Sequence, residues 1–452
     1  MSIWLPRPSS PKDLCIGLVV GATVSIVSIL AFNSFTRPTL RNIETEPPAD
    51  SEVAPIELRT DQVVDGVLGL IGNMRQGNTP LVRINSLSDA LGVEILGKAE
   101  FLNPGGSVKD RVALRMIEAA EQDGLLYPNT RSMIFEGTSG STGISLATVA
   151  RAKGYETTII LPDDIAEEKA KAILALGGIV EKVKPASIVD KKQFVNIARE
   201  RAREFNEAPN THGILDDEEK VTPASLRDSS SVPSTSKPRG FFADQFENMA
   251  NFDAHLKSTG PEIWRQTGGR VDAFVSGAGT GGTLAGVGTF LKSIRSSIVV
   301  ALADPEGSGL YHKVKSGVMF DPKESEGTRR RHQVDTLVEG IGLNRLTQNI
   351  DLALPLIDDA FRVTDMEAIN MSRHLAFHDG LFLGSSSACN LVACVQLVKK
   401  LKWNDGQTVV TILCDSGSRH FSKYRNDERL QQLGFVADPE FVQRLLRRKE
   451  NE

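Results

Sequence analysis

The sequence predicts an α/β fold on a mostly parallel sheet, with a membrane-crossing helix ahead of it. Three observations lead there. From about Asp61 onward, short apolar runs rich in β-branched residues alternate with helical patterns. Glycine-rich turns stand where such a run gives way to a helix. Near the N-terminus, Leu14 to Phe32 carries no charge over 19 residues.

The N-terminal run comes first in chain order. As a helix it would reach ~28 Å, close to the hydrocarbon thickness of a bilayer. It exceeds the apolar core of a secretory signal, and no A-x-A-like cleavage site follows it. A buried core helix is the other rival, but the Pro-rich, charged stretch from Arg37 to Pro55 reads as a linker. Residues 14–32 are therefore expected to be a single-pass membrane anchor, with basic residues on both flanks leaving its orientation open. Residues 1–45 are expected to form the anchor and its flanks, 46–70 a linker, 71–430 the main α/β region and 431–452 a charged, helical, peripheral tail.

Within the main α/β region, strands are expected at Thr157–Leu161, Ala273–Ser276, Val299–Ala303 and Thr408–Cys414. Each is short and apolar, as in strands buried on both faces. Helical patterns run at Val112–Gln122, Thr142–Lys153, Glu167–Leu176 and Ser386–Lys400. Gly213 to Arg239 is polar, with three prolines and a triple serine, and reads as a surface insertion.

Composition excludes several classes. A net charge of -5 and a pI near 5.9 argue against a nucleic-acid binder. The basic clusters Arg329–His332 and Arg444–Lys449 read as solvated surface. Cys15, Cys389, Cys394 and Cys414 form no C-x-x-C pair and have no histidines at ligand spacing, so neither a metal site nor a disulfide framework is expected.

Four segments carry candidate chemistry. In Asn103-Pro104-Gly105-Gly106-Ser107-Val108-Lys109, the turn must end where the helical spacing from Val112 begins. Lys109 then stands at a helix start, where the positive dipole end disfavours its charged form and suits an amine nucleophile. A surface lysine in a capping turn reads the same locally. The second segment, Gly137-Thr138-Ser139-Gly140-Ser141-Thr142-Gly143, presents N–H groups and hydroxyls to an anion, or simply caps a helix. The third, Gly277-Ala278-Gly279-Thr280-Gly281-Gly282-Thr283, can cradle a phosphate. It also fits a dinucleotide fingerprint, with Asp304 closing the next strand about 22 residues on. What weighs against that rival is a second anion-cradling turn and an upstream lysine, which serve a phosphorylated aldehyde better. The fourth, Gly384-Ser385-Ser386-Ser387, opens an apolar helix and caps it or bonds a ligand.

Taken together, these segments resemble the fold-type II pyridoxal-phosphate enzymes, and among them the cysteine synthases (O-acetylserine sulfhydrylases). The resemblance runs from Ile71-Gly72-Asn73 and Gly77-Asn78-Thr79-Pro80 through Asp244-Gln245-Phe246-Glu247-Asn248 and Thr259-Gly260-Pro261-Glu262-Ile263-Trp264 to Asp415-Ser416-Gly417-Ser418-Arg419. It implies two open, mostly parallel sheets flanked by helices, the smaller subdomain spanning about 105–240. It also implies pyridoxal 5'-phosphate held by Lys109 as a Schiff base, with Gly279, Thr280, Gly281, Gly282 and Thr283 on its phosphate and Ser386 on its ring nitrogen. Thr138, Ser139, Gly140 and Thr142 are implied to hold the substrate carboxylate, with Gln245 assisting. Ser141 stands where the family usually has an asparagine on the cofactor's ring oxygen.

The activity implied is β-replacement of O-acetyl-L-serine with sulfide, giving L-cysteine and acetate. Cystathionine β-synthase-like and desulfhydrase activities share the scaffold, though no haem segment or C-terminal regulatory module is evident. From a different class, the Ser141 departure also fits a catalytically weak, membrane-tethered sulfur sensor, against which an intact Lys109 argues. A homodimer is implied, and the anchor resembles the mitochondrial, membrane-anchored branch of the family found in fungi, pointing to the outer membrane.

Overall fold

The computed structural model of the protein describes residues 64, 66–71, 78–208, 237–322, 334 and 336–447. The expected membrane span at 14–32, the linker up to residue 63 and most of the polar insertion at 213–239 lie outside the described residues. Among the described residues no helix is long and apolar enough to cross a membrane.

Ten strands form two sheets among the described residues. They are β1 (Leu81–Arg83), β2 (Glu94–Ala99), β3 (Met133–Gly137), β4 (Glu156–Pro162) and β5 (Ile179–Val183), then β6 (Gly240–Phe242), β7 (Ala273–Gly277), β8 (Val299–Pro305), β9 (Asp359–Val363) and β10 (Thr408–Leu413). The larger sheet has the order β1-β2-β10-β7-β8-β9 and the smaller β5-β4-β3-β6. Every pairing is parallel except β1 with β2. The apolar runs explain this: β7 and β10 are buried at every position, so both of their faces must be covered by helices.

Helices Asp365–His378 and Ser385–Lys400 cover one face of the larger sheet, packing Met371, Leu391 and Val395 on Ile95, Val275 and Ala301. Helices Gly260–Gln266 and Gly282–Ile294 cover the other, around Ile263, Leu284, Val287 and Phe274. The smaller sheet packs on helices Lys109–Gln122 and Ser141–Lys153. The tail is not wholly peripheral. Its helix Phe441–Arg447 buries Val442 in the core of the larger sheet, since the apolar face of a charged helix needs a partner.

The turn that delivers Lys109 is fixed from beneath by four buried charges. Arg111 is 2% exposed and donates to Glu100 (Nε–Oε2 2.8 Å, Nη2–Oε1 2.9 Å) and to Glu262 (Nη1–Oε1 2.7 Å, Nη2–Oε2 2.8 Å). Lys98 donates to Glu262 at 2.6 Å and to the Thr79 carbonyl at 2.5 Å. Burial alone would raise the Glu100 pKa, but the adjacent Arg111 guanidinium outweighs it and holds the carboxyl down to about 2.

Removing one partner of such a cluster strands the others. Arg111→Met is expected to cost about 3–5 kcal/mol in chemical denaturation, and a loss below about 1 kcal/mol would refute the cluster's role. Because the folded-state pKa of Glu100 is depressed, its contribution is complete above about 4.5 and is lost as pH falls towards 2. Glu100→Gln should therefore show a shallower loss of stability than the parent across that window in acid titrations followed by circular dichroism.

Candidate active site

A cavity of about 360 Å³ lies between the two sheets, where β3, β7 and β10 end. Parallel strands gather ligand groups at their C-terminal ends, because the turns into the covering helices all open on that side.

Lys109 opens the helix Lys109–Gln122 and lines the cavity. Its amine has no hydrogen-bond or ion-pair partner among the described residues. Burial lowers its pKa, and the neighbouring Cys414 and Asp415 offset this in part. Desolvation thus acts in the same direction as the helix dipole expected from the sequence. The preceding turn is held by Asp110, whose carboxylate accepts the Gly105 N–H and the Ser145 hydroxyl, both at 2.5 Å. Burial pushes Asp110 up to about 6 in spite of those bonds. Asn103 completes the frame, donating to Glu100 at 2.7 Å and to the Ser107 carbonyl at 3.2 Å.

Between β3 and the helix Ser141–Lys153, Thr138, Ser139, Ser141 and Thr142 line the cavity. Gly140 has φ +126°, a conformation L side chains rarely adopt, and its N–H donates to Thr138 Oγ1 at 3.2 Å. Thr142 donates its hydroxyl to Gln245 Oε1 at 2.5 Å, which turns the Gln245 amide nitrogen away from it, 3.5 Å from the Gly137 carbonyl. Ser141 Oγ lies 3.5 Å from Arg419 Nη1.

Opposite stands the turn from β7 into the helix Gly282–Ile294. A Cβ on Gly279 would lie 2.1 Å from the Gly340 carbonyl oxygen, so only glycine fits there, and one on Gly282 would have to displace the Asn251 side chain, whose Oδ1 would lie 2.2 Å away. The N–H groups of Gly279, Thr280 and Gly281 donate to no group among the described residues. Three such donors at a helix N-terminus make a cradle for an anion. Thr283 Oγ1 lies 3.1 Å from Nε2 of His255, whose Nδ1 lies 2.9 Å from Thr259 Oγ1. Burial lowers the His255 pKa to about 3, so its ring is neutral behind the cradle.

Of the three serines opening the helix Ser385–Lys400, Ser386 faces the cavity. Ser385 instead accepts the Glu339 N–H at 3.0 Å and Ser387 the Cys414 N–H at 2.8 Å. The structure thus gathers around one cavity Lys109, Gln245, Ser386 and most of the two turns, while Gly140 and Gly282, though part of those turns, do not line it. The dinucleotide rival loses its ribose-binding acid. Asp304 is fully buried and accepts the Tyr311 N–H at 2.7 Å, so it caps the helix Leu310–Ser316.

Sequence reasoning passed over Cys414, Lys169 and Glu339, which also line the cavity. Burial pushes the Cys414 thiol up to about 11 despite the nearby Ser386 hydroxyl. Its place directly after a buried parallel strand was a usable signal. Lys169 and Glu339 offered none, being 170 residues apart. Among the described residues no cluster of His, Cys, Asp and Glu could hold a metal ion.

The family model for pyridoxal-phosphate dependent enzymes matches residues 73–415. Cysteine synthase 2 of Schizosaccharomyces pombe is 50% identical over 425 residues, covering 94% of this chain and 96% of that protein. Cysteine synthase 2 of Emericella nidulans is 54% identical over 363 residues, covering 80% of this chain and 79% of that protein. A Saccharomyces cerevisiae relative, whose name assigns it provisionally as a mitochondrial cysteine synthase, is 51% identical over 350 residues, 77% of this chain and 82% of its own. Among solved structures, that of an O-ureido-L-serine synthase is 28% identical with a TM-score of 0.62, covering 84% of this chain and 99% of its own. An anion cradle, an unpartnered, half-buried amine and a polar turn around one cavity suit a phosphorylated aldehyde, and with these matches the chain belongs to the pyridoxal-phosphate dependent enzymes, its cofactor being pyridoxal 5'-phosphate.

Proposed function

We propose that this enzyme is a cysteine synthase that replaces the acetoxy group of O-acetyl-L-serine with sulfide, releasing L-cysteine and acetate. The observation that carries the reading is the unpartnered Lys109 amine facing both the Gly279–Thr283 cradle and the Thr138–Thr142 turn across one cavity. Relatives named cysteine synthase at 50–54% identity support the same chemistry.

When bound, pyridoxal phosphate supplies an aldehyde that captures amines and a ring that withdraws electrons from the substrate's α-carbon. Lys109 would hold that aldehyde through its amine, and the same amine, when free, would take the substrate's α-proton as general base. Its burial favours the neutral, proton-accepting form. The N–H groups of Gly279 to Gly281, with Gly282 and the hydroxyls of Thr280 and Thr283, receive the phosphate. Thr138, Ser139, Gly140 and Thr142 receive the substrate carboxylate, with Gln245 offering its amide nitrogen. Ser386 meets the ring nitrogen with a neutral hydroxyl, which cannot keep that nitrogen protonated as a carboxylate would. A ring held this way would be a weaker electron sink, which suits loss of a β-substituent. Ser141, with Arg419 beside it, takes the ring-oxygen position.

The same reading assigns 105–240 to the smaller lobe, and the four-stranded sheet formed between Met133 and Phe242 supports it. It takes the enzyme to be a homodimer, anchored in the outer mitochondrial membrane through residues 14–32. The uncharged run supports the membrane part of that reading, and the name of the yeast relative supports the mitochondrion.

Borohydride reduction of the holoprotein should attach the cofactor to the peptide containing Lys109, and Lys109→Ala should abolish that label. The same variant should lower cysteine formation by about 10³-fold or more. A label on another peptide would sink the assignment, and product formed from serine and homocysteine but not from acetylserine and sulfide would favour cystathionine synthesis. Gly279→Ala, whose new methyl group meets the Gly340 carbonyl, is expected to weaken cofactor binding at least about tenfold in fluorescence titrations of the apoprotein.

A further inference from the structure

Lys169 is a lysine that ordinary surface chemistry does not explain. It lies on the helix Glu167–Ala175, which follows β4 in the smaller sheet, and it is 2% exposed. Its aliphatic stem covers the turn at Gly140, where an added Cβ would lie 2.5 Å from Lys169 Cδ. Its ammonium forms an ion pair with Glu339, a residue of the segment after β8, on the larger sheet's side of the cavity.

Glu339 is in turn bound to the cofactor side at several points. Its N–H donates to Ser385, the residue before Ser386. The next residue, Gly340, presses its carbonyl against Gly279 of the anion cradle. Glu339 also meets Lys423 at 3.0 Å and His420 Nδ1 at 3.7 Å. A parallel tie reinforces the first: Glu168 accepts the Ser422 N–H at 2.6 Å and its hydroxyl at 2.7 Å.

A buried ion pair loses in desolvation much of what it gains in attraction, so stability alone is a weak reason to keep one. Its geometry is demanding, however, and here it joins two elements that must face each other across the cavity. The Lys169 charge is already met by Glu339, so this lysine orients the turn and leaves carboxylate binding to the turn's own donors.

We propose that Lys169 and Glu339 are positioning residues that hold the Gly140 turn in register with the cofactor cradle, setting affinity for the amino-acid substrate. The proposal rests on the reading of the Thr138–Thr142 turn as the carboxylate site. It predicts that the pair acts as one unit: losing either member lets the turn drift, and losing both does no further harm.

Full-length holoenzyme carrying Lys169→Met, which keeps the stem on Gly140 but removes the ammonium, and Glu339→Gln provide the test. Each variant should raise KM for O-acetyl-L-serine and the half-saturating concentration of the cofactor's spectral change by about tenfold, with kcat within about twofold. The resting cofactor spectrum should stay as in the parent, and the double variant should match the worse single one. Parental half-saturation in either single variant, additive losses in the double, or an altered resting spectrum in Lys169→Met would each overturn the proposal. Should the parent's spectrum respond to L-serine and not to O-acetyl-L-serine, the leaving-group assignment fails, while the same comparison with L-serine still decides the pair. A parental spectrum that responds to neither amino acid would overturn the carboxylate-site reading and the proposal with it.

Discussion

The chemistry of this enzyme depends on a neutral cluster of four buried charges, Lys98, Glu100, Arg111 and Glu262. Taking such groups out of water is expensive, and the cost is met only if every oxygen and nitrogen finds a partner. Here each carboxylate oxygen accepts at least one hydrogen bond. Thr79 adds one to Glu100 at 2.7 Å and Asn103 another. Because Asn103 also holds the Ser107 carbonyl, the cluster reaches into the turn just ahead of Lys109. The Lys109 amine therefore projects from a base anchored to β2, to the helix Gly260–Gln266 and to its own helix at once. A flexible side chain gains a fixed origin.

The two sheets divide the work. The smaller presents the polar turn after β3, with Gln245 behind it, while the larger presents the anion cradle after β7 and Ser386 after a loop that packs on β10. Parallel strands put all of these turns at one end, so the cavity follows from the topology. Crowding finishes it: Gly279 and Gly281 lie too near the main chain of Gly340 and Ile350 for any side chain, which leaves the main-chain donors open to the cavity. Neutral groups complete the second ring of contacts, with the His255 imidazole behind Thr283 and the Ser386 hydroxyl at the cavity wall.

Much of the site was legible because its chemistry sits in short, contiguous turns. Asn103 to Lys109, Gly137 to Gly143 and Gly277 to Thr283 each need glycine or hydroxyl residues at fixed local offsets, and such needs leave a mark on the sequence. The tail misled for the opposite reason. Its charge suggested a solvated segment, whereas one apolar stripe, with Val442 at its centre, docks on the core. Asp304 misled likewise, since an acid at a strand end looks the same whether it faces a ligand or caps a helix.

The sequence by itself determined the alternation of buried strands and helices, the order of the anion-binding turns and the lysine that opens a helix beside them, because each depends on neighbours within a few residues. Only the tertiary structure decided that one cavity collects those turns, that desolvation lowers the Lys109 pKa, and that Lys169 reaches Glu339 across the cleft. Desolvation and ion pairing depend on which distant segments meet, and chain-distant contacts leave no periodic trace in a single sequence.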